Sequence, residues 1–143
     1  MGNRRQARQH AIQLLYQSEY AEVHPLETAH SFWPGALGRE GHDLSMQLFR
    51  GTLERLEAID RLIEKHSEHW KLQRISTIDR NILRVAAFEL LCGASTPGRA
   101  VIDEAIEIAK VFGSEASPAF INGVLDKIYH ESQRQPLEGA SRL

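Results

Sequence analysis

Cysteine is nearly absent: Cys92 is the only one in 143 residues. An internal disulfide framework is therefore excluded, and a lone thiol fits a reducing compartment. Long apolar runs are also missing, and none approaches the ~18 residues that a membrane span needs. The basic N-terminus does not read as a secretory signal, because Gln13, Gln17 and Glu19 interrupt its apolar stretch. A basic, acid-poor start also fits an organelle transit peptide, which is kept as a lesser alternative. No Gly-rich phosphate loop is present; Gly113 and Gly123 stand too isolated to form one. His66 and His69 are three apart near a helix end, but no His-Glu-x-x-His motif or third carboxylate accompanies them. Glu104 and Glu107 share a helical face without a partner base. Cys92 lacks a nucleophile context and reads as an inert core thiol. Neither an enzyme, nor a metal centre, nor a cofactor, nor any catalytic residue is expected.

Strand alternation is almost absent too, whereas helical periodicity runs through the chain, so the expected fold class is all-α. A first helix is predicted from about Asn3 to Val23, burying Ala7, Ala11, Leu14, Leu15 and Ser18. Arg5, Gln9, Ile12 and Tyr16 fall on a different stripe. Leu26 to Trp33 reads as a short helix, and Pro34, Gly35, Gly38 and Gly41 as a loop. A long helix is expected over about Asp43 to Ser67, with Leu44, Leu48, Leu56, Ile59 and Ile63 in its apolar stripe. Arg50, Glu54, Glu57, Asp60, Arg61, Glu64 and Lys65 form its solvated side. Trp70 to Ile75 is a candidate hinge.

Ser76 or Thr77 caps a helix running to about Cys92, with Asp79 in its first turn. Apolar residues on nearly all its sides imply a central, enclosed helix. Another helix is expected from near Pro97 to Phe112, with Ile102, Ala105, Ile106, Ala109 and Phe112 as its stripe and Gly113 as a left-handed stop. Ser117-Pro118 reads as cap and first turn of the last helix, which buries Ile121, Val124, Leu125 and Ile128. Periodicity crosses Gly123, so this glycine is expected inside the helix, letting a neighbour come close. From Ser132 onward the chain turns polar and is expected to fray.

Negative charge is missing from one place in particular. The first eighteen residues hold Arg4, Arg5 and Arg8 and no Asp or Glu, although the whole chain carries a formal net charge of −2. A helix holds these arginines in a row, near an N-terminus whose dipole already favours anions. Like charges one turn apart, Arg4 and Arg8, repel by a few tenths of a kcal/mol, which an anion relieves. Tyr16, about three turns beyond Arg5, offers a ring for base stacking. The helix is a candidate RNA surface with its cations aimed outward; the plain alternative is a solvated helix end.

Four segments together resemble the NusB-type transcription antitermination factors of bacteria. They are Arg4-Arg5-x-Ala7-Arg8-x-x-Ala11-x-x-x-Leu15-Tyr16, Ile78-Asp79-Arg80-Asn81-Ile82-Leu83-Arg84-Val85-Ala86-Ala87-Phe88-Glu89-Leu90, Ile102-Asp103-Glu104-Ala105-Ile106-Glu107-Ile108-Ala109-Lys110-x-Phe112-Gly113, and Phe120-Ile121-Asn122-Gly123-Val124-Leu125-Asp126-Lys127. The resemblance covers nearly the whole chain. It implies about seven helices in two packed bundles, one to about residue 70 and one from about 73 to 131. These would form a single domain over 1–131, followed by a flexible tail over 132–143. It further implies binding of the single-stranded boxA element of nascent RNA. The implied heterodimer partner is NusE, a small ribosomal subunit protein, within an RNA polymerase antitermination complex in the cytoplasm that supports ribosomal RNA transcription.

By the same resemblance, Arg4, Arg5, Arg8, Gln9 and Tyr16 form the RNA surface with Phe120 nearby, and Asp79 faces NusE. When free, the chain is expected to be able to form a homodimer. The family often has an acidic residue where Ala116 stands and a third consecutive arginine where Gln6 stands. The sequence also admits two rival functions: a protein–protein scaffold without RNA specificity, and an RNA-recognition fragment of an RNA methyltransferase.

Overall fold

The structure, a computed structural model, describes residues 2–20, 38–68, 71–93 and 96–134. The helix expected at Leu26 to Trp33, the first part of the glycine loop, His69, Trp70 and the segment after 134 lie outside these residues. Six α-helices are described: α1 (Gly2–Tyr20), α2 (Gly38–Glu54), α3 (Leu56–His66), α4 (Thr77–Cys92), α5 (Gly98–Phe112) and α6 (Ser117–Arg134). Among the described residues a 3-10 turn, Leu72–Arg74, lies between α3 and α4 in the chain. Among the described residues there is no strand, and no helix is long and apolar enough to cross a membrane.

α4 organises the packing. Every residue from Asn81 to Glu89 is buried, and the helix touches each of the other five. Ser76 caps it, its Oγ accepting from the Asp79 N–H at 3.3 Å. α1 packs chiefly on α2, and α5 chiefly on α6. Ala7, Ala11, Leu14 and Leu15 are buried as their spacing predicts, and so are Ile121, Val124, Leu125 and Ile128 of α6. Ile12 departs from its predicted stripe: it is buried, and the outer face passes through exposed Gln13 instead.

The long helix expected over Asp43 to Ser67 is two helices. α2 begins earlier, so Gly41 is helical and not a loop residue, while Gly38 opens the element with a left-handed backbone at φ 70°. The break falls at Arg55, whose backbone leaves helical geometry at φ −118° and ψ 21°. Just before it, the Thr52 hydroxyl donates back to the Leu48 carbonyl at 2.7 Å, a contact that bends helices. Next to Thr52 in the chain, Gly51 presses on Phe88 of α4; an added Cβ would lie 2.1 Å from the ring's Cζ. Only a residue without a side chain allows α2 this close. Gly51→Ala is expected to cost about 1–3 kcal/mol through overpacking, measured as a lower urea midpoint with unchanged slope.

Other local expectations shift by small amounts. Gly113 ends α5 in an extended conformation (φ −92°, ψ −172°), not a left-handed one; an added Cβ would lie 2.5 Å from Ser117 Oγ. Ser117 is the first helical residue of α6, one place later than a cap, and its Oγ accepts from the Ser114 N–H at 2.9 Å. Gly123 is helical, but among the described residues nothing lies within 4 Å of where its Cβ would be, so none of them exploits its small size. The close approach occurs at Gly98, where an added Cβ would lie 2.3 Å from Tyr129 Cε1. Phe112 leaves the predicted buried stripe and is 46% exposed, beside Val111 at 68%. Val101 and Ile108 fill the interior of α5 instead.

Candidate nucleic-acid interface

α1 runs antiparallel to α4, with charged side chains tying both of its ends. Near its start, Arg8 donates from Nε and Nη2 to the two carboxylate oxygens of Glu89, at 2.9 and 2.7 Å. Both side chains are buried, at 6% and 5% exposure. Near its end, Glu19 accepts from Arg80 at 3.0 Å and from Arg84 at 2.7 Å. Arg84 also grips Asp60 of α3 at 2.8 and 2.9 Å and donates to Asn81 Oδ1 at 3.0 Å. The expectation that Arg8 points outward as a displayed cation is corrected by this geometry. A charged residue in the apolar α4 must be paired, and Glu89 takes Arg8 into the interior to satisfy it. Asp60, expected on a solvated face, is likewise half-buried against Arg84.

Arg4 and Arg5 remain on the surface. Arg5 donates from Nε and Nη2 to both oxygens of Glu104 on α5, each at 2.9 Å, with 44% of its side chain exposed. That bidentate bond holds the Glu104 carboxyl below the ordinary carboxylate range. Arg4 donates to the Thr96 hydroxyl at 3.0 Å. The three guanidiniums, Thr96, Asp103 and Glu104 line a groove of about 470 Å³ between α1 and α5. Along the outer face of α1 the strip continues through Gln9 and Gln13 to Tyr16, which is 46% exposed. From Arg5 to Tyr16 the strip spans about 16 Å at the helical rise.

The resemblance places Phe120 near the RNA surface of α1; with Asp79, Arg74, Ser76, Ala116 and Ser117 it lines a second cleft of about 400 Å³, separate from the arginine groove. Asp79 is 9% exposed, and its Oδ1 has no hydrogen-bond partner among the described residues. A buried acceptor left unpaired is costly, so the cleft suits an incoming donor. Cys92 is buried and its thiol is pushed up by burial, which disfavours the thiolate.

Sequence reasoning missed the roles of Glu89, Glu104 and Gln13. Glu89 carried a legible signal: a carboxylate in the middle of an enclosed apolar helix demands a cation. Glu104 carried none, because its partner is 99 residues away in the chain. Gln13 was hidden by the choice of Ile12 for the outer stripe.

The packing defines a class: an all-helical protein with α4 at its centre and a partly basic helix along one side. Within that class the matches are specific. The NusB family model matches residues 5–130. The transcription antitermination protein NusB of Myxococcus xanthus is 41% identical over 133 residues, covering 90% of this chain and 95% of its own. That of Desulfitobacterium hafniense is 42% identical over 144 residues, covering 99% and 97%. The structure of T. maritima NusB superposes with a TM-score of 0.84 at 35% identity, covering 98% of this chain and 97% of that one. A NusB crystallised with NusE and double-stranded RNA superposes with a TM-score of 0.76 at 26% identity, covering 91% and 98%. The chain belongs to the NusB family of transcription antitermination factors, RNA-binding proteins that are not enzymes.

Proposed function

We propose that this chain captures the single-stranded boxA element of nascent RNA on α1 and does so together with NusE, the small ribosomal subunit protein. The pair acts in the cytoplasm within an RNA polymerase antitermination complex that supports ribosomal RNA transcription. The observation that carries the reading is the strip of exposed Arg4, Arg5, Gln13 and Tyr16, with half-buried Gln9 among them, on one rigid helix. Arg4 and Arg5 hold phosphates, the two amides reach base edges, and Tyr16 stacks on a base. Arg8 serves by positioning, since its guanidinium is committed to Glu89.

The Asp79–Phe120 cleft is the proposed NusE surface, with the buried, unpaired Asp79 Oδ1 at its edge awaiting a donor. Phe120 lets RNA held by the pair extend from α1 towards that partner. Both helical halves act as one unit over residues 1–131, because α4 packs on helices of each. In the free chain, exposed Val111 and Phe112 offer an apolar edge for self-association.

The reading is tested by titrating boxA RNA, scrambled RNA and duplex RNA, with and without NusE, against the parent chain and the Arg4→Ala/Arg5→Ala double variant. Two lost phosphate contacts are expected to flatten the salt slope by about 1.4, at about 0.7 per contact on a single strand. Affinity is expected to fall about tenfold, or about 1.4 kcal/mol. Equal binding of boxA and scrambled RNA would instead favour a scaffold. An unchanged double variant would remove α1 as the RNA surface.

A further inference from the structure

Glu104 stands between two guanidiniums of different freedom. Its two oxygens take the bidentate face of Arg5, which is exposed. Its Oε1 is also 3.9 Å from Nη1 of Arg8, which is buried and fixed by Glu89. A carboxylate and a phosphate present similar paired oxygens to a guanidinium and use the same fork of N–H donors. Arg5 therefore already holds, in the unbound chain, an anion of the shape it is proposed to bind.

We propose that Glu104 is a built-in competitor for RNA phosphate. RNA binding displaces its carboxylate from Arg5, and the carboxylate falls back on Arg8 Nη1. The proposal rests on the reading of α1 as the RNA surface and adds to it a specificity-determining residue on another helix. The exchange is possible because the Arg5–Glu104 pair is open to solvent, where such pairs hold weakly. It does not strand the carboxylate, because Arg8 waits within reach and cannot leave Glu89. The consequence is a threshold: an isolated phosphate gains little by replacing one anion with another. An RNA that also engages Arg4 and Tyr16 gains enough to force the exchange.

Glu107 provides the control. It lies on the same helix one turn on, is paired with Lys110 at 2.8 Å, and acts on Arg5 only at longer range. Binding of a single-stranded boxA RNA is measured for the parent, Glu104→Gln, Glu107→Gln, Arg5→Ala and the Arg5→Ala/Glu104→Gln double variant. Melting curves confirm that each is folded. Glu104→Gln is expected to tighten binding about two- to fivefold, the strength of an exposed ion pair. Glu107→Gln is expected to change it less. In the Arg5→Ala background the gain from Glu104→Gln is expected to vanish, which a general loss of negative charge would not produce.

If Arg5→Ala weakens binding but Glu104→Gln leaves it equal or weaker, the competitor role is overturned and the RNA surface stands. The same follows if the gain survives without Arg5. If Arg5→Ala binds as the parent does, the RNA surface itself is wrong at Arg5 and the competitor role falls with it.

Discussion

Replacing Arg8 with alanine is expected to destabilise the protein by about 3–5 kcal/mol, because Glu89 is left as an unpaired charge in the interior. The melting temperature is expected to drop by about 10 °C or more for a chain of this size. The loss has little to do with removing an attraction, since taking two charges out of water offsets most of their mutual gain. It comes from what stays behind. An Arg8→Met/Glu89→Leu double variant, which empties the site of charge, is therefore expected to recover most of the stability. Its RNA binding is expected to be weaker than the parent's, because Arg8 no longer pins α1 or takes up the displaced Glu104 carboxylate. A single variant that melts within a degree or two of the parent would show that Glu89 is not sealed from solvent as its 4% exposure indicates.

Arg84→Ala is expected to cost a similar amount, about 3 kcal/mol or more. Glu19 keeps Arg80, but Asp60 loses both of its short bonds and Asn81 loses its donor. Urea unfolding should show the midpoint falling with an unchanged slope. Amide exchange should speed up in the last turn of α1, where Glu19 is anchored, more than at Arg5. Equal acceleration along the whole helix would mean that the cluster braces the core generally and not that end.

The Arg8 result also shows what the sequence could and could not tell. Periodicity located α4 and α6 well, because each buries a stripe set by its own residues: Ile121, Val124, Leu125 and Ile128 needed no knowledge of partners. It failed where a neighbour decides the outcome. The α2–α3 break depends on Thr52 bonding its own backbone near the place where Gly51 meets Phe88, and the run of leucines and isoleucines passes over it without a sign. Charge type suggested that all three arginines face water, yet Arg8 stands beside Ala7, Ala11 and Ile12 on the inner side of α1. The site was thus legible as a basic helix ending near an exposed ring. Its electrostatics were not, since Glu89 and Glu104 come from segments 81 and 99 residues away. The grouping of Phe120 with Asp79 is likewise a product of tertiary packing.

The two clusters that fasten α1, Arg8–Glu89 and Glu19–Arg84–Asp60, lie eleven residues apart on that helix, about three turns. A cylinder pinned at two such points can neither roll about its axis nor slide along its neighbour. The angular setting of Arg4, Arg5 and Tyr16 is then decided during folding, before any transcript arrives. The freedom that a floppy basic tail would surrender on capture is already gone, and preorganisation of this kind strengthens association without adding a single contact.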